Sequence, residues 1–185
     1  MNKSIHIRLT DEEYKKLIDL AQMANLIIVN KNYTGSTALK NLTSYVLNPS
    51  RTLGFCGAQG VIIKNCINNM MTVNNYFRVH TGRQAQHFIL SFSKNECVTK
   101  FNAMNLGYKI CGILPNYQIV FGVHSNTDNL HLHFAMNPVS INDGHKFNFT
   151  YQNTYFLYDR VCEILSEHDI ECKLLLKWYI YTGCL

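Results

Sequence analysis

Apolar and polar positions alternate in SIHIRL (4–9), in HFILSFS (87–93) and most cleanly in LHLHFAMNPV (130–139). That period of two is the mark of a half-buried strand. LIIV (26–29), YQIVFGV (117–123) and IECKLLL (170–176) are short apolar runs that read as further strands. Other segments repeat at helical spacing. After Thr10, T-D-E-E puts Glu13 where a capping box needs it, and Leu17, Leu20, Ala21 and Ala24 follow on one stripe. In ALKNLTSYVL (38–47), Leu39, Leu42 and Val46 share a stripe that Asn48-Pro49 should end. Helices are also expected over 65–77, 95–114 and 149–169. Residues 52–70 show little periodicity and read as loop with one short strand at 61–63.

The strands at 117–123 and 130–139 are joined by the polar turn S-N-T-D-N, which predicts an antiparallel hairpin. Strands in pairs with helices between them predict an α+β fold, an antiparallel β-sheet flanked by helices. Three parts are expected: an N-terminal strand-helix extension (1–25), a main domain (26–170) and a C-terminal tail (171–185).

Composition changes this picture little. The 185 residues are 47% apolar and 16% charged, enough to bury a core. A net charge of +5 permits an acidic partner without demanding one. Seven scattered cysteines contain no C-x-x-C, so neither a zinc knuckle nor a disulfide framework is indicated. The polar start and the lack of an 18-residue apolar run predict a cytoplasmic protein with no membrane partner.

The chemistry concentrates in VFGVHSNTDNLHLHFAMNPVS (120–140), which holds His124, His131 and His133. His131 and His133 share one face of their strand, and the hairpin returns His124 beside them. A histidine face turned to water would explain any one of them. An H-x-H with a third imidazole across a hairpin points instead to a metal site with positions open for substrate. Geometry alone leaves hydrolase, oxygenase and nuclease open.

The stretch HSNTDNLHLHFAMNPVSINDGHKFN (124–148) resembles the third motif of plasmid relaxases, the mobilisation nucleases of the MobA/VirD-like, single-tyrosine, three-histidine (HUH-type) branch. TSYVLNPSRT (43–52) resembles their first motif and GRQAQHFILSFSKNE (82–96) their second, in the family's order. The resemblance spans roughly residues 26–170. It implies a bacterial enzyme that nicks one strand of transfer-origin DNA, single-stranded or supercoiled, by tyrosine transesterification, for conjugative mobilisation. It implies Tyr45 as nucleophile, with Tyr33 as the fallback, and a divalent ion, Mg²⁺ or Mn²⁺, on His124, His131 and His133. Arg51, His87, Ser91 and Asn137 are the implied DNA-binding residues, Asn137 alternatively orienting a ligand histidine; Lys40 and Arg83 join them as cations that can track backbone phosphates. A relaxosome accessory protein and a coupling protein are the implied protein partners.

Two departures bear on activity. Asn126 stands where the family usually has Asp, so Asp128, two residues on, becomes the candidate to orient the imidazoles and take the tyrosine proton. The chain is also short for the family, which raises a truncated or weakened origin-binding module as the alternative.

Overall fold

The computed structural model describes residues 23–177. The strand expected at 4–9 and the helix after Thr10 up to residue 22 lie outside the described residues, as do positions 178–185; Ala24, expected on that helix's stripe, instead begins a strand. Six strands form one sheet: β1 (Ala24–Val29), β2 (Cys56–Gln59), β3 (Gln86–Ser91), β4 (Ile119–His124), β5 (His131–Met136) and β6 (Cys172–Lys177), in the order β2-β4-β5-β3-β1-β6. The helices are α1 (Ala38–Val46), α2 (Pro49–Thr52), α3 (Cys66–Tyr76), α4 (Lys100–Cys111) and α5 (Tyr151–Ser166). The expected α+β architecture is therefore present. Every pairing is antiparallel except β1 with β6, where the closing strand runs parallel.

Local chemistry sets the helix ends. Pro49 opens α2 at the position where a missing N–H costs nothing, and the Asn48 side chain accepts from the Ser50 N–H at 3.0 Å. Helix α4 begins later than its apolar spacing suggests. A capping box of Ser93 and Glu96 closes a single 3₁₀ turn, and Thr99 then caps α4 by accepting from the Asn102 N–H at 3.1 Å. Thr150 caps α5 in the same way through Asn153. In the 52–70 region the strand is 56–59 rather than 61–63. Val61 to Ile63 instead run into a short 3₁₀ turn that begins at Ile63. The paired segment is CGAQ, which carries no apolar alternation to reveal it.

One face of the sheet is largely buried. Leu26, Phe88, Leu90, Phe121, Val123, Leu132 and Phe134 pack there under α4 and α5. The Phe88 and Phe134 rings stack with centroids 4.5 Å apart. The other face is only part covered. Leu39, Leu42 and Val46 of α1 and Met70 of α3 close over Val120 and Ala135, and the β3–β1 side of this face is left open. The histidines lie at the border between covered and open sheet.

Asn137, expected near DNA or a ligand histidine, is fully buried. Its amide donates to the Met70 carbonyl at 3.3 Å and to Gln118 Oε1 at 3.1 Å, so it fastens α3 to the end of β5 and bonds no imidazole. Replacing it by alanine would strand both acceptors. We expect Asn137→Ala to lower unfolding free energy by roughly 1–3 kcal/mol in chemical denaturation. An unchanged midpoint would show that the amide is dispensable.

Candidate active site

The pleat places the imidazoles as the sequence requires. His124 pairs directly with His131, and Gly122 with His133, so all these positions share one face. Leu132 and Phe134 turn into the opposite core. One ring nitrogen from each of His124, His131 and His133 lies within 4.8 Å of the others.

Each ring has one nitrogen engaged by a neighbour. His124 Nε2–H donates to the Val46 carbonyl at 2.9 Å. Its Nδ1 is buried without a hydrogen-bond partner. His131 Nδ1–H donates to the Asn129 carbonyl at 2.8 Å, which leaves Nε2 as the acceptor nitrogen. A carbonyl can only accept, so these two contacts settle both tautomers. His133 Nδ1 lies 2.9 Å from His87 Nε2, and His87 Nδ1 lies 3.0 Å from the Tyr33 hydroxyl. A buried bare nitrogen among three imidazoles is the environment a divalent cation satisfies, so the residues fit the metal the resemblance implies.

Electrostatics hold these rings uncharged. Burial, reinforced by His87, His124, His131 and the Arg51 guanidinium, pushes His133 down to about 2. Burial, with His124 and Lys31, pushes His87 down to about 4. His124 and His131 are also depressed, chiefly by burial. Neutral imidazole is the ligating form. Stability follows from the same shifts. Above pH 6.5 these rings are neutral folded or unfolded. Below it the unfolded chain takes up protons that the folded one refuses, until pH approaches about 4 for His87 and about 2 for His133. Metal-stripped protein is thus expected to lose roughly 2 kcal/mol for each of these two residues between pH 7.5 and 5. Urea titrations in chelator at both pH values measure this, and coincident curves would contradict it.

Tyr45 leans over the cluster from the last turn of α1. Its ring centroid is 5.1 Å from that of His133, 5.6 Å from His124 and 6.3 Å from His87. Arg51, from α2, places its guanidinium carbon 4.6 Å from the Tyr45 ring centroid. The approach is possible because Gly122 has no side chain. A Cβ there would sit 2.2 Å from the Val46 carbonyl oxygen. The end of α1 drops onto that gap, which brings Val46 O to His124 and the Tyr45 ring to His133. Two open clefts meet at Tyr45. One is lined by Ile89, Ser91, Thr127, Asp128, His131 and His133, the other by Lys31, Tyr33, Asn41, His87 and His133.

Residues 45–170, more than half of the chain, match the family described as "Relaxase: MobA/VirD2-like, nuclease domain". The chain belongs to the MobA/VirD2-like relaxases. A 90-residue stretch, 48% of this relaxase, is 30% identical to Protein rlx of Staphylococcus aureus. That stretch is 27% of the relative's own length, so the chain covers far less than the whole of it. No solved structure matches.

The remaining expected site residues of the relaxase domain scatter. Ser91 lies on the histidine face opposite His131. His87 is buried, and its Nε2 is within hydrogen-bond distance of His133 Nδ1. Lys40 lines a different cleft, between α1 and the start of α3. Arg83 is tied to the Lys31 carbonyl at 3.0 Å and to Asn30 Oδ1 at 2.9 Å, and lines a separate cleft of about 480 Å³ beside Tyr151 and Tyr155. Asp128 is exposed and bridges to Lys94 at 3.1 Å, with no bond to any imidazole. The bonded partners of the three imidazoles are instead two backbone carbonyls and His87. Asn126 is exposed in the same turn. Tyr33 carries a contact that the sequence does not reveal, because its link to His87 joins a loop to a strand 54 residues away. Among the described residues no helix is long and apolar enough to cross a membrane.

Proposed function

We propose that this domain nicks one strand of transfer-origin DNA by transesterification onto Tyr45, in the service of conjugative mobilisation. The observation that carries the reading is the seat of the Tyr45 ring against His133 and His124, with Arg51 at its other side. The phenolic oxygen attacks the scissile phosphorus. The bond from phosphorus to the 3′ oxygen breaks, leaving a 5′-phosphotyrosine and a 3′-hydroxyl, and the proton lost by the phenol is balanced by the one the 3′ oxygen gains. His124, His131 and His133 would hold a divalent ion, which supplies charge neutralisation at the phosphate oxygens. Arg51 steadies the ring and adds positive charge where the phosphate must sit. The open clefts on either side of Tyr45, floored by Ile27 and Ile89, offer a path for a single strand across the sheet. Ser91 and Lys31 line that path, while Lys40 and Arg83 stand aside from it.

A second reading is a module that binds the origin without cutting it. Its support is that, among the described residues, no carboxylate bonds to the imidazoles. Incubation of the full chain with supercoiled origin plasmid and Mn²⁺ separates the two. Relaxed circles with protein covalently held at the 5′ end are expected. A gel shift without nicking would favour the second reading.

A further inference from the structure

Three imidazoles converge on the site, yet only two have their tautomers dictated by a carbonyl. His133 is the exception, because its partner at Nδ1 is another histidine. A bond between two imidazoles can run either way, and so can the next bond, from His87 Nδ1 to the Tyr33 hydroxyl. The chain therefore has two self-consistent arrangements. In one, the Tyr33 hydroxyl donates to His87 Nδ1 and His87 Nε2–H donates to His133 Nδ1. The single proton of His133 then sits on Nε2, where it blocks a cation. In the other, His133 Nδ1–H donates to His87 Nε2, and His87 Nδ1–H donates to the Tyr33 oxygen. His133 Nε2 is then bare, as are His124 Nδ1 and His131 Nε2, and the three residues can each turn one nitrogen to a common centre.

We propose that His87 and Tyr33 are positioning residues that act as a two-membered hydrogen-bond relay, setting His133 in its cation-binding tautomer. The inference rests on the reading of His124, His131 and His133 as the cation ligands. It assigns to His87 the role that a carboxylate or carbonyl plays behind a ligand histidine. The geometry suits it. His87 is 6% exposed, its ring stacks on His133 at 5.2 Å and 29°, and its second nitrogen has the phenol within bonding distance. Tyr33 stands in the loop between β1 and α1 and lines the same cleft as Tyr45, so a reversal of the bonds at His133 reaches the wall of the DNA path.

The test reads metal binding and tautomer, independently of nicking. Mn²⁺ affinity of the full chain is measured by calorimetry for the unsubstituted protein, His87→Phe, His87→Gln and Tyr33→Phe. His87→Phe keeps a flat ring but removes the acceptor, and a 10–100-fold loss of affinity is expected. His87→Gln restores an acceptor oxygen and should recover most of that loss. Tyr33→Phe should cost several-fold, since His87 Nδ1–H loses its acceptor. Nitrogen-15 spectra of the unsubstituted protein need no variant to fold. On addition of Zn²⁺ they should show His133 protonated at Nδ1 and His87 protonated at Nδ1. Unchanged Mn²⁺ affinity in both His87→Phe and Tyr33→Phe, with normal binding by the unsubstituted chain, overturns the relay alone. No Mn²⁺ binding by the unsubstituted chain overturns the cation site and the relay with it. Covalent capture of DNA is scored separately, so the nicking proposal stands or falls on its own result.

Discussion

Tyr45→Phe is expected to abolish the covalent protein–DNA adduct, by roughly a thousand-fold or more, while leaving DNA binding and folding intact. The substitution removes one hydroxyl. The ring contacts to His133, His124 and the Arg51 guanidinium are made by the aromatic face and edge, and phenylalanine keeps them. Tyr45 is 38% exposed, so no buried hydrogen bond is lost. The effect should therefore fall on chemistry alone. Denaturing gels with a labelled origin oligonucleotide and Mn²⁺ read the adduct, and gel shifts read binding. An adduct that persists in Tyr45→Phe would move the nucleophile elsewhere, with Tyr33 the next residue to examine, since it lines a cleft shared with Tyr45.

Gly122→Ala should damage stability and adduct formation together. The added methyl would lie 2.2 Å from the Val46 carbonyl oxygen and 2.8 Å from Thr52 Cγ2. The first obstacle is backbone, which cannot swing aside as a side-chain tip can. The end of α1 must lift, breaking the 2.9 Å bond from His124 to Val46 and carrying Tyr45 away from His133. Overpacking of this kind costs about 1–3 kcal/mol. A displacement near 1 Å at the nucleophile costs on the order of a hundred-fold in rate. Gly35→Ala is the matched control, because nothing lies within 4 Å of a Cβ there. Equal melting temperatures and adduct rates for Gly122→Ala and Gly35→Ala would refute the account of how α1 is seated.

Local pattern carried much of this molecule. The apolar alternation around His131 and His133 told which side of β5 faces the core, and the turn after His124 told that β4 comes back beside it. The stripe of Leu39, Leu42 and Val46, ended at Asn48-Pro49, placed Tyr45 in the last turn of a helix. These follow from period and stop signals that lie within a few residues of one another. Strand β2 escaped because CGAQ has no such period and owes its state to pairing with β4.

By itself the sequence determined that three imidazoles share one strand-hairpin face, that a tyrosine ends a helix ahead of an N-P stop, and that these motifs are those of a relaxase. Only the tertiary structure decided which neighbours those imidazoles have. Strand β3 lies next to β5, which brings His87, read from the sequence as a DNA contact, within bonding distance of His133. Val46 and Asn129 orient His124 and His131 through backbone oxygens, and every residue carries such an oxygen, so no residue type can announce it. Asp128 and Asn137 met other partners for the same reason. A side chain's bond is chosen by what long-range packing brings within about 3 Å, and that distance is not written in spacing along the chain.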